Sequence, residues 1–167
     1  MNESDSAMDS VHDALWRFSI VFYARPGVAD ACLAVQDRHG KDVNILLYAI
    51  WHGLSGRGRL RPDQVVAADR AVAKWRSGTV EPLRALRRRT KGTPGAAELY
   101  RALKAAELQA ERLVQHRLSA MALPAQVADQ AARLADADAN LTLYLGPEPA
   151  VEAAALRIAV RDATESG

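Results

Sequence analysis

From Val43 to Trp51 every residue is apolar or aromatic except Asn44, and this run decides what the chain can become. It is too short to cross a bilayer, which needs about 20 apolar residues. Periodicity alone does not separate a buried strand from a buried helix in such a run, but the flanks do. Asp42 is a good N-cap, because its carboxylate accepts the free N–H groups of a first helical turn. Gly53 and Gly56 supply a stop, since glycine reaches the left-handed conformation without steric penalty. The stretch between, about 11 residues, is ordinary for a helix and long for a strand. A helix apolar on all sides must be covered on all sides. The expected fold class is therefore all-α, a compact multi-helix bundle around a central apolar helix.

The polar exceptions on that helix form a row. Asn44, Tyr48 and His52 are spaced i, i+4, i+8, one turn apart on one face. Buried polar groups need partners, so the row reads either as a hydrogen-bonded seam against a neighbouring helix or as the wall of a small polar pocket. His52, at the helix end, can also simply face water.

The segments before it are helical. Residues 1–9 read as a disordered tail. Ser10, with Asp13 three residues on, reads as a short-armed capping box that opens a helix from Val11 to about Ala24. Pro26-Gly27 breaks it and opens a second helix to about Arg38, with Val28, Ala31, Cys32 and Val35 as its stripe. His39-Gly40 ends that one. Turns this short make antiparallel neighbours. The loop Gly53–Leu60 is glycine-rich, but it follows a helix and lacks a Lys-Ser/Thr ending, so it is no nucleotide loop. It reads as a surface turn, or as an anion site made by Arg57, Arg59 and Arg61. Pro62 opens a fourth helix to Arg76, placing Asp69 and Arg70 toward water. Ser77-Gly78 ends it, and Thr79 caps a fifth helix through Arg89.

Seven of the nine aromatics precede residue 76, which puts the compact core within residues 10–91. Residues 92–95 read as a linker. The alanine-rich stretch 96–165 then reads as one amphipathic helix of about 27 residues, a turn at Leu123-Pro124, and a second long helix from Val127 to Leu145. Together these make a C-terminal helical hairpin that docks on the core or projects as an arm. A last short helix follows Gly146-Pro-Glu-Pro149. No alternating strand pattern is present.

Charge is uneven. Residues 57–91 hold eleven basic residues against three acidic, a net of +8, while the flanking segments are each net −3. Such a basic segment points to a partner of opposite charge. Catalytic signatures are missing: no Cys-x-x-Cys, His-Glu-x-x-His or Gly-x-Ser-x-Gly occurs, and the four histidines lack ligand spacing. No metal or cofactor is expected. Cys32 is the lone cysteine and reads as a small buried hydrophobe. With no secretory signal and no membrane span in view, a reducing cytoplasm is the expected compartment.

Several words of the first half, read together, carry a family resemblance. They are Leu15-Trp-Arg-Phe-Ser19, Tyr23-Ala-Arg-Pro-Gly-Val28, Cys32-Leu33, Gln36-Asp37, Asp42-Val-Asn-Ile-Leu-Leu47, Trp51, Trp75-Arg76 and Pro82-Leu-Arg84. This pattern resembles a proteobacterial family of small proteins that carries only a domain-of-unknown-function label. The resemblance covers roughly residues 14–91 and not the C-terminal arm. It implies a helical, cytoplasmic bacterial protein and brings no catalytic residues with it. Within it, Asp42-Val-Asn44 and Trp75-Arg76 are the natural places to look for a site.

Three functions are open. The first is a non-catalytic helical interaction or regulatory module with a protein partner, suggested by the basic segment and the amphipathic arm. The second is an enzyme or small-ligand binder whose pocket is drawn from Asp37, Asp42, Asn44, Tyr48, His52, Trp75 and Arg76. There His52 would titrate near neutral pH and Arg76 would hold an anion. This reading requires the side chains to converge on one cavity, and fails if Asn44 and His52 each bond only to backbone. The third is binding of nucleic acid or another polyanion through Arg57, Arg59, Arg61, Arg84, Arg87, Arg88 and Lys91, without any recognition motif.

Overall fold

The computed structural model describes the backbone of residues 3–165 and the side chains of residues 13–163. It is all-α: α1 (Glu3–Tyr23), α2 (Val28–His39), α3 (Val43–Leu54), α4 (Pro62–Trp75), α5 (Glu81–Thr90), α6 (Ala97–Ala120), α7 (Gln130–Leu145) and α8 (Ala150–Glu165). A π-helical turn, Arg76–Val80, joins α4 to α5. No strand is present among the described residues.

The Asp42 carboxylate accepts the Asn44 N–H at 2.7 Å and so starts α3. Every residue from Asn44 to Gly53 is buried. The reason lies in two apolar clusters on opposite faces of this helix. Leu46, Leu47 and Ile50 pack with Phe22, Val28, Cys32 and Val35, and with Leu141, Leu145 and Leu156 from the C-terminal helices. Ile45, Tyr48, Ala49 and Trp51 pack with Leu15, Leu60, Val72, Val80, Ala110, Val114 and Leu118. Each large aliphatic side chain taken out of water in this way contributes about 1.5–3 kcal/mol before entropy is counted.

The long C-terminal helices supply the cover. α7 packs closely on α3, and α6 lies against α1, α5, α4 and the other side of α3. An added Cβ at Gly53 would lie 2.3 Å from the Ala137 backbone nitrogen, so α3 and α7 meet backbone to backbone. Buried Asn140 on α7 fastens this contact. Its Oδ1 accepts the Leu60 N–H at 2.7 Å, and its Nδ2 donates to the Ala49 and Gly58 carbonyls at 3.1 Å each.

Several expectations are corrected. Of the two placements left open the C-terminal helices dock, but α6 and α7 do not pack on each other as a hairpin: α3 lies between them, because a helix apolar on both faces needs a partner on each. The core therefore extends beyond residues 10–91 to include α6, α7 and α8. α7 begins at Gln130, where Asp129 caps it by accepting the Ala132 N–H at 2.8 Å, which leaves Val127 in the connection and fully exposed. Ser77-Gly78 does not end a helix. The chain stays helical through it as a π-turn, with Val80 buried beneath. The first helix begins at Glu3 instead of Ser10, since no proline or glycine in that stretch stops it and the tail expected over 1–9 is helical from Glu3.

Candidate functional site

The N-terminus of α3, the end of α4 and the π-turn meet at Asp42. Its Oδ2 accepts from Arg76 Nη1 at 3.0 Å, and Arg76 also donates to Asp69 at 2.8 Å. Asp69 is exposed, as expected, and pairs with Arg76 at the surface. Tyr144 of α7 closes the cap from the other side. Its hydroxyl accepts the Asp42 N–H at 2.8 Å and donates to the Asp42 carbonyl at 3.0 Å. Burial works against the charge on Arg76, but the hydrogen bonds it donates to Asp69 and Asp42 keep its pKa above the ordinary guanidinium value. These groups line a groove of about 720 Å³ that also takes in Lys41, Arg70 and Glu81.

A second groove, of about 580 Å³, adjoins the first and shares Gln36, Asn44 and Arg84 with it. Its walls are apolar, with Trp16, Ile20 and Tyr23 from α1, Leu33 from α2 and Leu108 from α6. Ser19, Gln36, Asn44 and Gln115 are set among these walls, and Arg84, Arg87, Arg88, Lys104, Glu107 and Glu111 line one side of the groove. Asn44 Oδ1 accepts from Gln115 Nε2 at 2.9 Å. Ser19 Oγ and Gln115 Oε1 have no hydrogen-bond partner among the described residues, although Ser19 is only 4% exposed and Gln115 only 3%. Both atoms are closed to water, so they lie beneath the groove wall and not on its surface.

A compact ion-pair cluster flanks this groove. Glu107 accepts from Arg84 Nε at 3.0 Å and from Arg87, and Glu111 accepts from Arg84 Nη2 at 2.7 Å. Burial raises the Glu107 carboxyl, but the two guanidinium groups outweigh it and hold the pKa below the usual carboxylate value. Glu111 goes the other way, because burial outweighs its single arginine partner. Tyr23 is pushed up to about 12 by burial.

The seven pocket candidates divide. Asp42, Asn44 and Arg76 line the first groove. Tyr48 is buried in the core, and burial raises its phenol to about 12. Trp75 donates its indole N–H to the Ala110 carbonyl at 3.1 Å, with the Arg117 guanidinium over its ring, and so belongs to the α4–α6 seam. Asp37 sits on the surface, 3.0 Å from Arg88. His52 is wholly buried and bonds only to backbone. Its Nε2 accepts the Leu123 N–H at 3.4 Å, which leaves Nδ1 as the protonated nitrogen donating to the Gly58 carbonyl at 3.0 Å. Desolvation lowers its pKa and keeps the ring neutral. His52 is thus an anchor for two connecting segments and no part of the grooves. Cys32 is equally enclosed, and burial raises its thiol to about 12, far from a reactive thiolate.

Of the eleven basic residues in the segment, Arg59, Arg61, Arg76, Arg84, Arg87 and Arg88 pair with carboxylates, while Arg70, Lys74 and Arg89 stand exposed. Arg59 pairs with Asp136 at 2.9 Å, Arg61 with Asp63 at 2.9 Å, and Arg88 with Asp37. Arg57 donates to the Leu123 carbonyl and lies over the Trp51 ring. The three loop arginines therefore diverge to separate partners and do not form an anion site. Arg84 and Arg87 are held by Glu107, and Lys91 stands exposed beyond α5.

Ser19, Glu107, Glu111 and Gln115 do not stand out in the sequence, yet a signal for three of them is present. Glu107, Glu111, Gln115 and Ser119 repeat at i, i+4 along α6, the same spacing as the α3 row, and Glu107, Gln115 and Ser119 are buried. No group of three or more His, Cys, Asp or Glu residues comes together as a metal-ligand set among the described residues. No single helix there is long and apolar enough to cross a membrane.

Fold and site together define a small all-α bundle whose α3 divides two apolar clusters and whose α1–α3–α6 face carries an apolar-walled groove. The chain belongs to the family described as protein of unknown function, DUF2390, whose family model matches residues 14–118. The match runs through most of α6, beyond residues 14–91, and so takes in Ser19, Asn44 and Gln115. Comparison with curated proteins and with solved structures returned no match.

Proposed function

We propose that the chain is a non-catalytic small-ligand-binding module of the bacterial cytoplasm, using the groove between α1, α3 and α6. The observation that carries this reading is the groove itself, about 580 Å³, in which Trp16, Ile20, Leu33 and Leu108 present apolar surface beside the Asn44–Gln115 amide pair. The size suits the assignment, since small-molecule sites run to a few hundred cubic ångströms with mostly apolar walls and a few polar groups.

Binding is favoured over turnover because the groups suited to acid–base or nucleophilic work, His52 and Cys32, are engaged elsewhere in the fold. The two features that suggest a protein adaptor in the sequence draw less support from the fold. About half of the basic segment is engaged in ion pairs within the chain, and the amphipathic helices are docked on the core. Polyanion binding loses support on the same ground.

The test is affinity purification from the native cell, with mass spectrometry of bound small molecules, for the wild type and for Leu108→Arg. Leu108 is half exposed on the groove wall, so the substitution blocks the groove without entering the core. A small molecule retained by the wild type and lost from the variant is the expected result. Recovery of the same set from both, or of none from either, overturns the proposal.

A further inference from the structure

Resting on that reading, we infer that the α1–α3–α6 groove takes a single-chain anionic amphiphile, an apolar chain ending in a carboxylate. Three observations lead there.

The first is how the lining is divided. Trp16, Ile20 and Tyr23 come from α1 and Leu33 from α2, and together they make an apolar wall. Arg84, Arg87 and Arg88 come from α5, where a spacing of i, i+3, i+4 puts them on one face, and they make a basic wall. The two kinds of lining meet on α6, where Lys104 and Leu108 stand one turn apart. A groove divided in this way matches a ligand with an apolar body and one charged end.

The second is the sign of the charge. Four basic residues line the groove, Arg84, Arg87, Arg88 and Lys104, against two acidic ones, Glu107 and Glu111. Glu107 is shared between Arg84 and Arg87, Glu111 is taken by Arg84, and Asp37, which does not line the groove, holds Arg88. Lys104 is exposed and has no ion-pair partner among the described residues. A cationic head would meet like charge here, whereas an anionic head would meet an unpaired ammonium. One unpaired cation is too little to hold a polyanion, whose affinity grows with the number of charges neutralised. It suffices to set which end of an amphiphile lies beside α5 and α6.

The third is the apolar surface left to cover. Ile20, Leu33 and Leu108 are each about half exposed, so a chain of several methylenes lying on them displaces water that now wets them. Apolar burial supplies most of the affinity on this account, and the head group supplies orientation and sign. Affinity must then rise with chain length.

The test titrates octanoate, octylammonium and octanol, at low salt, into the full chain labelled with nitrogen-15. The backbone amides of Ile20, Leu33, Lys104 and Leu108 report the site. Octanoate is expected to shift these signals and to bind about tenfold more tightly than octylammonium, with octanol between them. Across hexanoate, octanoate and decanoate, affinity is expected to rise about two- to fourfold per methylene. Lys104→Glu is expected to weaken octanoate about three- to tenfold and to leave octanol unchanged, a split that a general change in the fold would not produce. Octylammonium or octanol binding as tightly as octanoate, or full octanoate affinity in Lys104→Glu, overturns the inference and leaves the groove standing as a site. No shift at these residues with any of the three probes also overturns it, and the groove itself is then judged separately, from the Leu108→Arg retention experiment. Cosedimentation with phosphatidylglycerol vesicles in place of an octanoate shift assigns this face to a bilayer surface and likewise overturns the inference.

Discussion

Gly53→Ala is the substitution that most directly tests how this bundle is assembled. Gly53 is helical and buried, and helix propensity alone favours alanine there by about 1 kcal/mol. The structure argues for the opposite outcome. The new methyl carbon would lie 2.3 Å from the Ala137 nitrogen, 2.5 Å from its Cα and 2.7 Å from the Asp136 carbonyl carbon. All three are backbone atoms of α7, so no side chain can swing aside. Ordinary van der Waals contact begins at about 3.4 Å, which means α7 must retreat by roughly 1 Å. Overpacking of this kind costs about 1–3 kcal/mol. The retreat also pulls Asn140 from its three partners, and each buried bond lost costs about 1 kcal/mol more. Net of propensity, a destabilisation of about 3 kcal/mol is expected, measured by urea unfolding followed by far-ultraviolet circular dichroism. Gly78→Ala is the control. Gly78 sits in the π-turn, where an added methyl carbon meets nothing within 4 Å, and that variant should gain about 0.4–1 kcal/mol. If Gly53→Ala is as stable as Gly78→Ala, the close α3–α7 approach is wrong, and the account of α3 as a helix covered on both faces goes with it.

Three further outcomes are expected. His52 has a folded pKa below its unfolded value of about 6.5, so the unfolded chain binds the extra proton and stability is retained above that pH and lost as pH falls through the folded pKa. The loss is at most about 1.4 kcal/mol per pH unit, and His52→Gln should flatten the difference between unfolding curves taken at pH 7.5 and pH 5. Glu107→Ala leaves Arg84 and Arg87 without their shared carboxylate and should destabilise by about 3 kcal/mol, the cost of breaking a buried pair from one side; a change under 0.5 kcal/mol would mean the cluster is solvated and the groove wall open. Arg87→Glu with Arg88→Glu should leave a DNA gel shift unaltered at physiological salt, since both arginines are already paired within the chain; a wild-type shift abolished by the double variant would restore the polyanion reading.

Local chemistry was readable from single segments. Asp42 as the α3 cap, Pro62 at the start of α4 and the glycine after His39 each act through atoms within a turn of themselves, and each stands where its neighbours require. What lay beyond reach depended on which surface met which. Nothing near Asp69 says that Arg76 will turn back to it, because that depends on a π-turn whose Val80 is buried in a cluster with α6 residues 30 or more positions on. Val127 and Leu141 fit one amphipathic pattern equally well, yet Asp129 takes the cap and divides them into an exposed residue and a core residue.

The polar rows make the same point for the site. Residues spaced i, i+4 follow a ridge along a helix, and ridges of two packed helices cross at an angle, so they stay close over only a short length. The α3 row, Asn44–Tyr48–His52, and the α6 row, Glu107–Glu111–Gln115–Ser119, bond to each other at one place, Asn44 with Gln115. Beyond that crossing the α3 row runs into the core at Tyr48 and ends at His52, whose two nitrogens secure Gly58 and Leu123. Three residues that look equivalent in the sequence are therefore divided by the crossing into one groove residue and two structural ones. The point of crossing is set by the register of α6 on α3, through Ala110, Val114 and Leu118 packing on Ile45 and Ala49. A one-turn shift of that register would bring Tyr48 to Gln115 instead, and the orphaned amide end would gain a phenol beside it.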